Sequence, residues 1–170
     1  MPLQLLLLRH ADTQPRKGEM EDADRPLSMP GREQAQRVAN HLLQTDFIPG
    51  RVLLSDAKRV QETWRILEKV CSYSIEAESR ADLYLAGAGT MLNLLMHQGP
   101  VLSSPTLLIG HNPGLSLLAL ALAGNHGTAE NKAKLSTGLP PGGSAHLTSD
   151  AESWSELRPG SAQLTECRHP

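Results

Sequence analysis

The chain has 170 residues, of which 39% are hydrophobic and 20% charged, and its formal net charge is -2 at neutral pH. This length and composition predict one globular domain with a substantial core, spanning residues 1–170. The near balance of charge excludes a general attraction to nucleic acid or to an acidic membrane surface, so a site for an anion must be built from a few local cations.

Cysteine content and hydropathy favour a cytoplasmic protein. The two cysteines, Cys71 and Cys167, are too few for a disulfide framework. The apolar stretch near the N-terminus lacks the length and the cleavage signature of a signal peptide, and no run approaches the roughly 20 apolar residues of a membrane span. We therefore expect a cytoplasmic protein with no membrane partner.

Strand and helix patterns alternate along most of the chain. Apolar runs predict strands at 3–8, 52–55, 74–76 and 106–109, and apolar residues at helical spacing predict helices at 30–44, 57–71, 90–97 and 113–123. Ser28 with Pro30 fits the start of the first helix, and Asp56 is the expected N-cap of the second. The alternation predicts an α/β fold with a mostly parallel sheet.

The pattern weakens beyond Gly124. Residues 137–144, rich in glycine and proline, indicate a loop before a short strand at 145–148, and we expect residues 154–157 to pair with that strand. Earlier in the chain, the polar segment from Gln14 to Arg25 directly follows a candidate site. It predicts a mobile loop beside that site.

The first candidate site lies where the first strand ends, because Leu5 to Leu8 is followed directly by Arg9 and His10. The carboxyl ends of strands are where open α/β sheets carry their chemistry. A guanidinium offers a planar fork of donors to phosphoryl oxygens, and a neutral imidazole can attack phosphorus to form a covalent intermediate. By itself, however, the dipeptide is more often a surface cap of a strand than a site.

A second set of candidates begins the helix after the second strand. Ser55, Arg59 and Thr63 are spaced four residues apart, so they lie on one face of that helix. Arg59 would reach the sheet edge to which Arg9 also points if the first two strands are neighbours. Taken alone, an arginine in this position is more often a solvated helical residue than part of a site.

The third candidate, His111, follows the strand at 106–109. Gly110 permits close backbone approach, Pro113 suits the first position of a helix, and the free amides from Asn112 onward would favour an anion. A histidine at this position can donate a hydrogen bond to a phosphoryl group. Because two strands then end in histidine, we expect the two imidazoles to meet.

Taken in order, these segments resemble the histidine phosphatase superfamily. The motifs are Arg9-His10-Ala11, Asp22-x-x-Arg25-Pro26-Leu27-Ser28-x-x-Gly31, Ser55-x-x-x-Arg59-x-x-x-Thr63 and Gly110-His111-Asn112-Pro113-Gly114. Over about residues 3–143 the chain is most similar to the SixA-type phosphohistidine phosphatases. The resemblance implies a phosphoglycerate mutase-like three-layer α/β/α sandwich with a mostly parallel central sheet.

The resemblance also implies roles for the candidate residues. His10 would be transiently phosphorylated while Arg9, Arg59 and His111 hold the phosphoryl oxygens, and Asn112 is a further candidate for substrate binding. Two arginines and a histidine can supply positioning and charge neutralisation, so neither a metal nor a cofactor is required.

The sequence does not place a general acid. Asp12, Glu19 and Asp82 are candidates by position only. Phosphohistidine expels an imidazole whose conjugate acid has a pKa of about 6.5, whereas an alkoxide leaving group needs a proton. A short chain also leaves little room for a lid, and an open site suits a phosphorylated protein surface.

We therefore expect a protein phosphohistidine phosphatase that acts as a monomer on a phosphotransfer domain or a phosphocarrier in bacterial signal transduction. Two alternatives stay open. One is a phosphomonoesterase for a small molecule or phosphoserine, with an acid supplied by the loop from Gln14 to Arg25. The other is a non-catalytic phosphate-binding module, which would use Arg9, Arg59 and His111 but would not need a nucleophile at His10.

Overall fold

In the computed structural model, which describes residues 2–97 and 105–170, six strands form one sheet with helices on both faces. The strands are β1 (Leu3–Arg9), β2 (Arg51–Ser55), β3 (Glu78–Arg80), β4 (Thr106–Gly110), β5 (Ser144–Ser149) and β6 (Gln163–Arg168). The helices are α1 (Met29–Gln44), α2 (Lys58–Cys71), α3 (Ala88–Met96), α4 (Gly114–Ala123) and α5 (Ala129–Ser136). None of the helices in these ranges is long and apolar enough to cross a bilayer.

The strand order is β3-β2-β4-β1-β5-β6. Strands β1, β2, β3 and β4 run parallel to their neighbours within this group, and β5 runs antiparallel to both β1 and β6. Arg9 at the end of β1 is paired with Gly110 at the end of β4. The residues that follow these two strands, His10 and His111, therefore emerge side by side at one edge of the sheet.

Strand β1 is buried on both faces. Leu5 and Leu7 pack in the core beneath α3 and α4, whereas Leu6 and Leu8 pack in the core beneath α1 and α2. A parallel strand that is covered by helices on both sides has no polar face, which explains its unbroken run of leucines. The predicted α/β architecture with a mostly parallel sheet is confirmed.

The structure corrects several predicted elements. The third strand is Glu78–Arg80 rather than 74–76, and the partner of β5 is Gln163–Arg168, because Trp154–Glu156 forms a 3-10 turn that buries Trp154. Helix α5 was not predicted, since among its eight residues only Leu135 is buried.

The condition stated for the reach of Arg59, that the first two strands are neighbours, is not met, and the predicted cap of α2 is wrong. Strand β4 lies between β1 and β2, so the first two strands are not neighbours. Asp56 is exposed and does not cap α2, which begins at Lys58 without a side-chain cap. Instead, the Ala57 amide donates to the Ser55 hydroxyl at 3.3 Å.

The start of α1 is fastened to the segment that follows His10. The Ser28 hydroxyl accepts from the Gly31 amide at 3.0 Å and donates to the Asp12 carboxylate at 2.6 Å, which confirms the predicted helix start. Gly31 packs so closely that a Cβ atom there would lie 2.0 Å from the Asp12 carbonyl oxygen. Only glycine fits at this contact.

We expect Gly31→Ala to lower the free energy of unfolding by about 1–3 kcal/mol, because the added methyl group meets rigid backbone. Urea denaturation measures the change. Gly89→Ala is the matched control, since Gly89 lies in α3 with no atom within 4 Å of the added Cβ. Alanine favours the helix, so this control should be neutral or stabilising by up to about 1 kcal/mol. Equal stability of the two variants would show that α1 shifts away at no cost.

Candidate active site

An open cleft of about 530 Å³ lies at the carboxyl ends of β1 and β4. Three arginines, two histidines and two aspartates contribute to its wall together with smaller groups. The lining residues are Arg9, His10, Asp12, Thr13, Asp22, Arg25, Arg59, Leu85, His111, Asn112 and Pro141. The structure thus brings together Arg9, His10, Arg59, His111 and Asn112, and their individual roles stay predictions.

His10 presents a neutral imidazole in a defined tautomer. Its Nδ1 lies 2.8 Å from the Ala11 carbonyl oxygen, which can only accept, so the proton sits on Nδ1 and the lone pair on Nε2. Burial lowers the pKa of His10 to about 4, and the guanidinium of Arg59 adds to this effect. At neutral pH the ring is therefore uncharged and has an unprotonated nitrogen available for attack.

The imidazole of His111 is hydrogen-bonded to Ser55, the last residue of β2. Its Nε2 lies 2.7 Å from the hydroxyl of Ser55, which is fully buried. Burial, followed by the neighbouring His10, lowers the pKa of His111 to about 3. A serine hydroxyl can donate or accept. Nδ1 of His111 lies 3.5 Å from Nη2 of Arg59, which can only donate, so in the empty cleft a neutral His111 carries its proton on Nε2 and donates it to Ser55.

The prediction that Ser55, Arg59 and Thr63 share one helix face holds for Arg59 and Thr63 only, because Ser55 is the last residue of β2. Ser55 supports His111, and Arg59 reaches into the cleft although only 3% of it is exposed. The Thr63 hydroxyl donates to the Arg59 carbonyl at 2.7 Å and accepts from the Ala11 amide at 3.1 Å. This face of α2 therefore fastens the segment around His10 while it supplies a cation.

Arg9 and Asn112 both bond to the loop after α5. Arg9 Nη1 donates to the Leu139 carbonyl at 2.9 Å, and Asn112 Nδ2 donates to the same oxygen at 2.7 Å. The Asn112 side-chain oxygen accepts from the Ser116 hydroxyl at 2.9 Å. The amide of Asn112 is thus occupied by this loop, which suits a residue that shapes the cleft wall.

The three carboxylates proposed as general acids lie in different places. Asp12 lines the cleft, but Glu19 is exposed and does not contribute to it. Asp82 pairs with Arg80 at 2.7 Å and lines a separate cavity. Of the three, only Asp12 is therefore placed to act on a bound substrate.

Sequence reasoning did not assign a role to Asp22 or Tyr84. The Asp22 carboxylate accepts from Arg59, Arg25 and the Tyr84 hydroxyl. Asp22 stands in a motif already noted, so its spacing to Arg25 was an available signal. Tyr84 had none, because it lies 62 residues beyond Asp22 and meets it only through the fold.

The arrangement suits a phosphoryl group. Arg9, Arg25 and Arg59 place three permanent cations around two neutral imidazoles. Guanidinium forks match phosphoryl oxygens in geometry, and fixed cations stabilise charge that develops during in-line transfer. A neutral Nε2 beside them is chemically competent to attack phosphorus.

Sequence comparisons relate this chain to one protein superfamily and to uncharacterized proteins. Residues 5–84 match the model of the histidine phosphatase superfamily, branch 1. The uncharacterized protein Rv1276c of Mycobacterium tuberculosis is 31% identical over 160 residues, which cover 92% of this chain and 96% of that protein. The uncharacterized chloroplastic protein At3g52155 of Arabidopsis thaliana is 30% identical over 128 residues, 71% of this chain, and the match spans 59% of the plant protein's length.

Solved structures share the fold. The presumed phosphohistidine phosphatase SixA of Agrobacterium tumefaciens has a TM-score of 0.82 at 24% identity, covering 100% of this chain and 99% of that one. The protein histidine phosphatase SixA complexed with tungstate has a TM-score of 0.76 at 21% identity, and the match covers 99% of this chain and 97% of that one. Mycobacterial glucosyl-3-phosphoglycerate phosphatase Rv2419c has a TM-score of 0.66 at 16% identity, and the match covers 96% of this chain and 97% of that one.

These likenesses confirm the expected phosphoglycerate mutase-like sandwich. The relative Rv1276c matches this chain almost end to end. The chain belongs to branch 1 of the histidine phosphatase superfamily.

Proposed function

We propose that this chain is a phosphohistidine phosphatase that removes the phosphoryl group from a histidine of another protein through a phospho-His10 intermediate. The observation that carries this proposal is the tautomer of His10. Its proton is committed to the Ala11 carbonyl, so the Nε2 lone pair is available in a cleft that three arginines line. The fold shared with SixA proteins supports the same assignment.

The first half-reaction transfers the phosphoryl group to His10. Nε2 of His10 attacks phosphorus as the bond from phosphorus to the substrate nitrogen breaks, and the substrate histidine leaves as a neutral imidazole when its other ring nitrogen is protonated. Arg9 and Arg59 neutralise the phosphoryl oxygens as charge redistributes. In the second half-reaction, water attacks phosphorus and releases inorganic phosphate and neutral His10.

His111 is suited to assist, because its ring centroid lies 5.4 Å from that of His10. A phosphoryl dianion near its ring raises the pKa of His111 from about 3 and favours a proton on Nδ1. With a proton on each ring nitrogen, His111 donates from Nε2 to the Ser55 hydroxyl, which lies 2.7 Å away. A hydrogen bond from Nδ1 to a phosphoryl oxygen would then be charge-assisted.

The carboxylates favour a leaving group that needs no acid. A hydrogen bond from Tyr84, together with Arg25 and Arg59, holds the pKa of Asp22 well below its usual range, so Asp22 stays ionised and has no proton to give. Asp12 accepts a hydrogen bond from Ser28 at 2.6 Å. An imidazole leaves readily from phosphorus under these conditions, whereas an alkoxide does not.

The proposed substrate is a phosphohistidine on a protein, such as a phosphotransfer domain or a phosphocarrier in a cytoplasmic signalling system. The cleft is open, and Leu85 on its wall is 57% exposed, which leaves the site accessible to a protein surface. A small metabolite is more commonly enclosed by its binding site.

A second candidate is a phosphomonoesterase in which Asp12 protonates an alkoxide. Its position in the cleft wall two residues after His10 favours this reading. The shared fold of a glucosyl-3-phosphoglycerate phosphatase is consistent with it. The two candidates differ in whether turnover depends on Asp12.

The protein should remove acid-labile phosphate from a phosphohistidine-bearing phosphocarrier, and His10→Ala should abolish this turnover because the nucleophile is lost. Labelled phosphate is followed on both proteins, with phosphoserine as the ester because its alkoxide leaving group needs a proton. Asp12→Asn should leave dephosphorylation of phosphohistidine nearly unchanged. Turnover by His10→Ala would overturn the covalent mechanism. Cleavage of the ester alone, lost in Asp12→Asn, would establish the phosphomonoesterase instead, and no turnover of either compound would favour a binding module.

The imidazole of His10 should stay neutral, with its proton on Nδ1, from pH 8 down to about pH 5. Its folded pKa of about 4 lies below the ordinary value of 6.5, so its contribution to stability is complete above pH 6.5 and is lost as the pH falls toward 4. Nitrogen-15 NMR of the ring reports both tautomer and midpoint, and His10→Ala identifies the signal. A midpoint at pH 6 or above would contradict the proposed state of the nucleophile.

A further inference from the structure

We propose that Asp22 is a positioning residue, which fixes the guanidinium of Arg59 in the orientation that receives a phosphoryl group. The proposal deepens the proposed function and rests on it only in requiring that a tetrahedral oxyanion enters this cleft. Asp22 itself would form no bond to the substrate. Its effect would pass entirely through Arg59.

The contact between the two residues has two points. Arg59 Nη1 donates to the backbone carbonyl of Asp22 at 2.7 Å, and Nη2 donates to its Oδ2 atom at 3.0 Å. The Arg59 side chain is only 4% exposed, so solvent does not compete strongly for these donors. Two bonds from two nitrogens to one residue fix the plane of a guanidinium, which a single bond would leave free to turn.

This hold leaves donors for a ligand. A guanidinium has five N–H groups, and the two bonds to Asp22 use two of them. Nη2 also lies 3.5 Å from Nδ1 of His111. That contact uses the second N–H of Nη2, so the N–H of Nε and one N–H of Nη1 remain for a phosphoryl oxygen.

Asp22 is itself held from two directions. The Tyr84 hydroxyl donates to Oδ2 at 2.6 Å, and Arg25 Nη1 donates to Oδ1 at 3.1 Å. Arg25 in turn donates from Nη2 to Thr13 Oγ1 at 2.5 Å and from Nε to the Gln14 carbonyl at 3.0 Å. The carboxylate is thus anchored both to the segment after His10 and to the segment before α3.

Tyr84 packs against both Arg59 and His111, the two residues proposed to bind the oxyanion. Its ring centroid lies 5.9 Å from the guanidinium carbon of Arg59, and its ring meets that of His111 edge-on at 5.5 Å. One aromatic side chain therefore packs against the cation and the imidazole while its hydroxyl orients the carboxylate. Through this network Asp22, which would not touch the substrate, orients Arg59.

The test measures tungstate binding to the full chain by titration calorimetry. Asp22→Ala should weaken binding about tenfold, because the N–H groups of a displaced guanidinium are no longer oriented toward the oxygens of the anion. Asp22→Asn should recover most of the affinity, since its amide oxygen can still accept from Arg59 and Tyr84. Asp24→Ala is the matched control, as Asp24 is an exposed aspartate of the same 3-10 turn. It should bind tungstate as the unaltered chain does.

A double-mutant cycle separates positioning from a general effect on folding. In an Arg59→Lys background, Asp22→Ala should change tungstate affinity less than about twofold, because a lysine has no planar fork to orient. Tyr84→Phe should give an intermediate loss, since it removes one of the bonds that hold the carboxylate. Thermal unfolding of each variant checks that the fold is retained.

Three results would overturn the proposal. They are unchanged or tighter binding by Asp22→Ala, an equal loss in Asp22→Asn and Asp22→Ala, and the same loss in the presence and absence of Arg59. Because tungstate binding does not depend on a phosphohistidine substrate, this outcome is independent of whether the proposed reaction is observed.

Discussion

The parallel pairing of β1 with β4 is the constraint on which the site depends. It sets Arg9 opposite Gly110, so that His10 and His111 leave the sheet as neighbours with ring centroids 5.4 Å apart. A shift of one residue in either strand would turn its side chains to the opposite face and separate the rings. The buried leucines of β1 hold this register, because any slip would break the packing on both sides of the sheet.

Burial at this edge determines the protonation of the histidines. Desolvation lowers the pKa of His10 to about 4 and that of His111 to about 3, so both rings are neutral beside permanent guanidinium charges. Neutral rings let the arginines provide the positive charge while His10 keeps a lone pair. In the empty cleft the positive charge that attracts an anion therefore comes from the arginines, and no buried imidazole has to be protonated.

The remaining order around the cleft comes from residues that need not touch a substrate. Ser55 supports His111, Thr63 joins α2 to the Ala11 amide, and the Leu139 carbonyl holds both Arg9 and Asn112. Fixed groups of this kind matter for transfer reactions, because misplacement of a reacting or neutralising group by about 1 Å can lower the rate substantially.

Sequence alone determined the elements with strong local signals: the leucine run of β1, the cap of α1 at Ser28, and the four-residue spacing that places Arg59 and Thr63 on one face of α2. It also identified the histidines after β1 and β4. Only the tertiary structure decided that β4 separates β1 from β2, that α5 forms despite its polar composition, and that Tyr84 meets Asp22. Local periodicity records which residues share a face, whereas strand order and contacts across 62 residues arise from packing between elements that no short window of sequence contains.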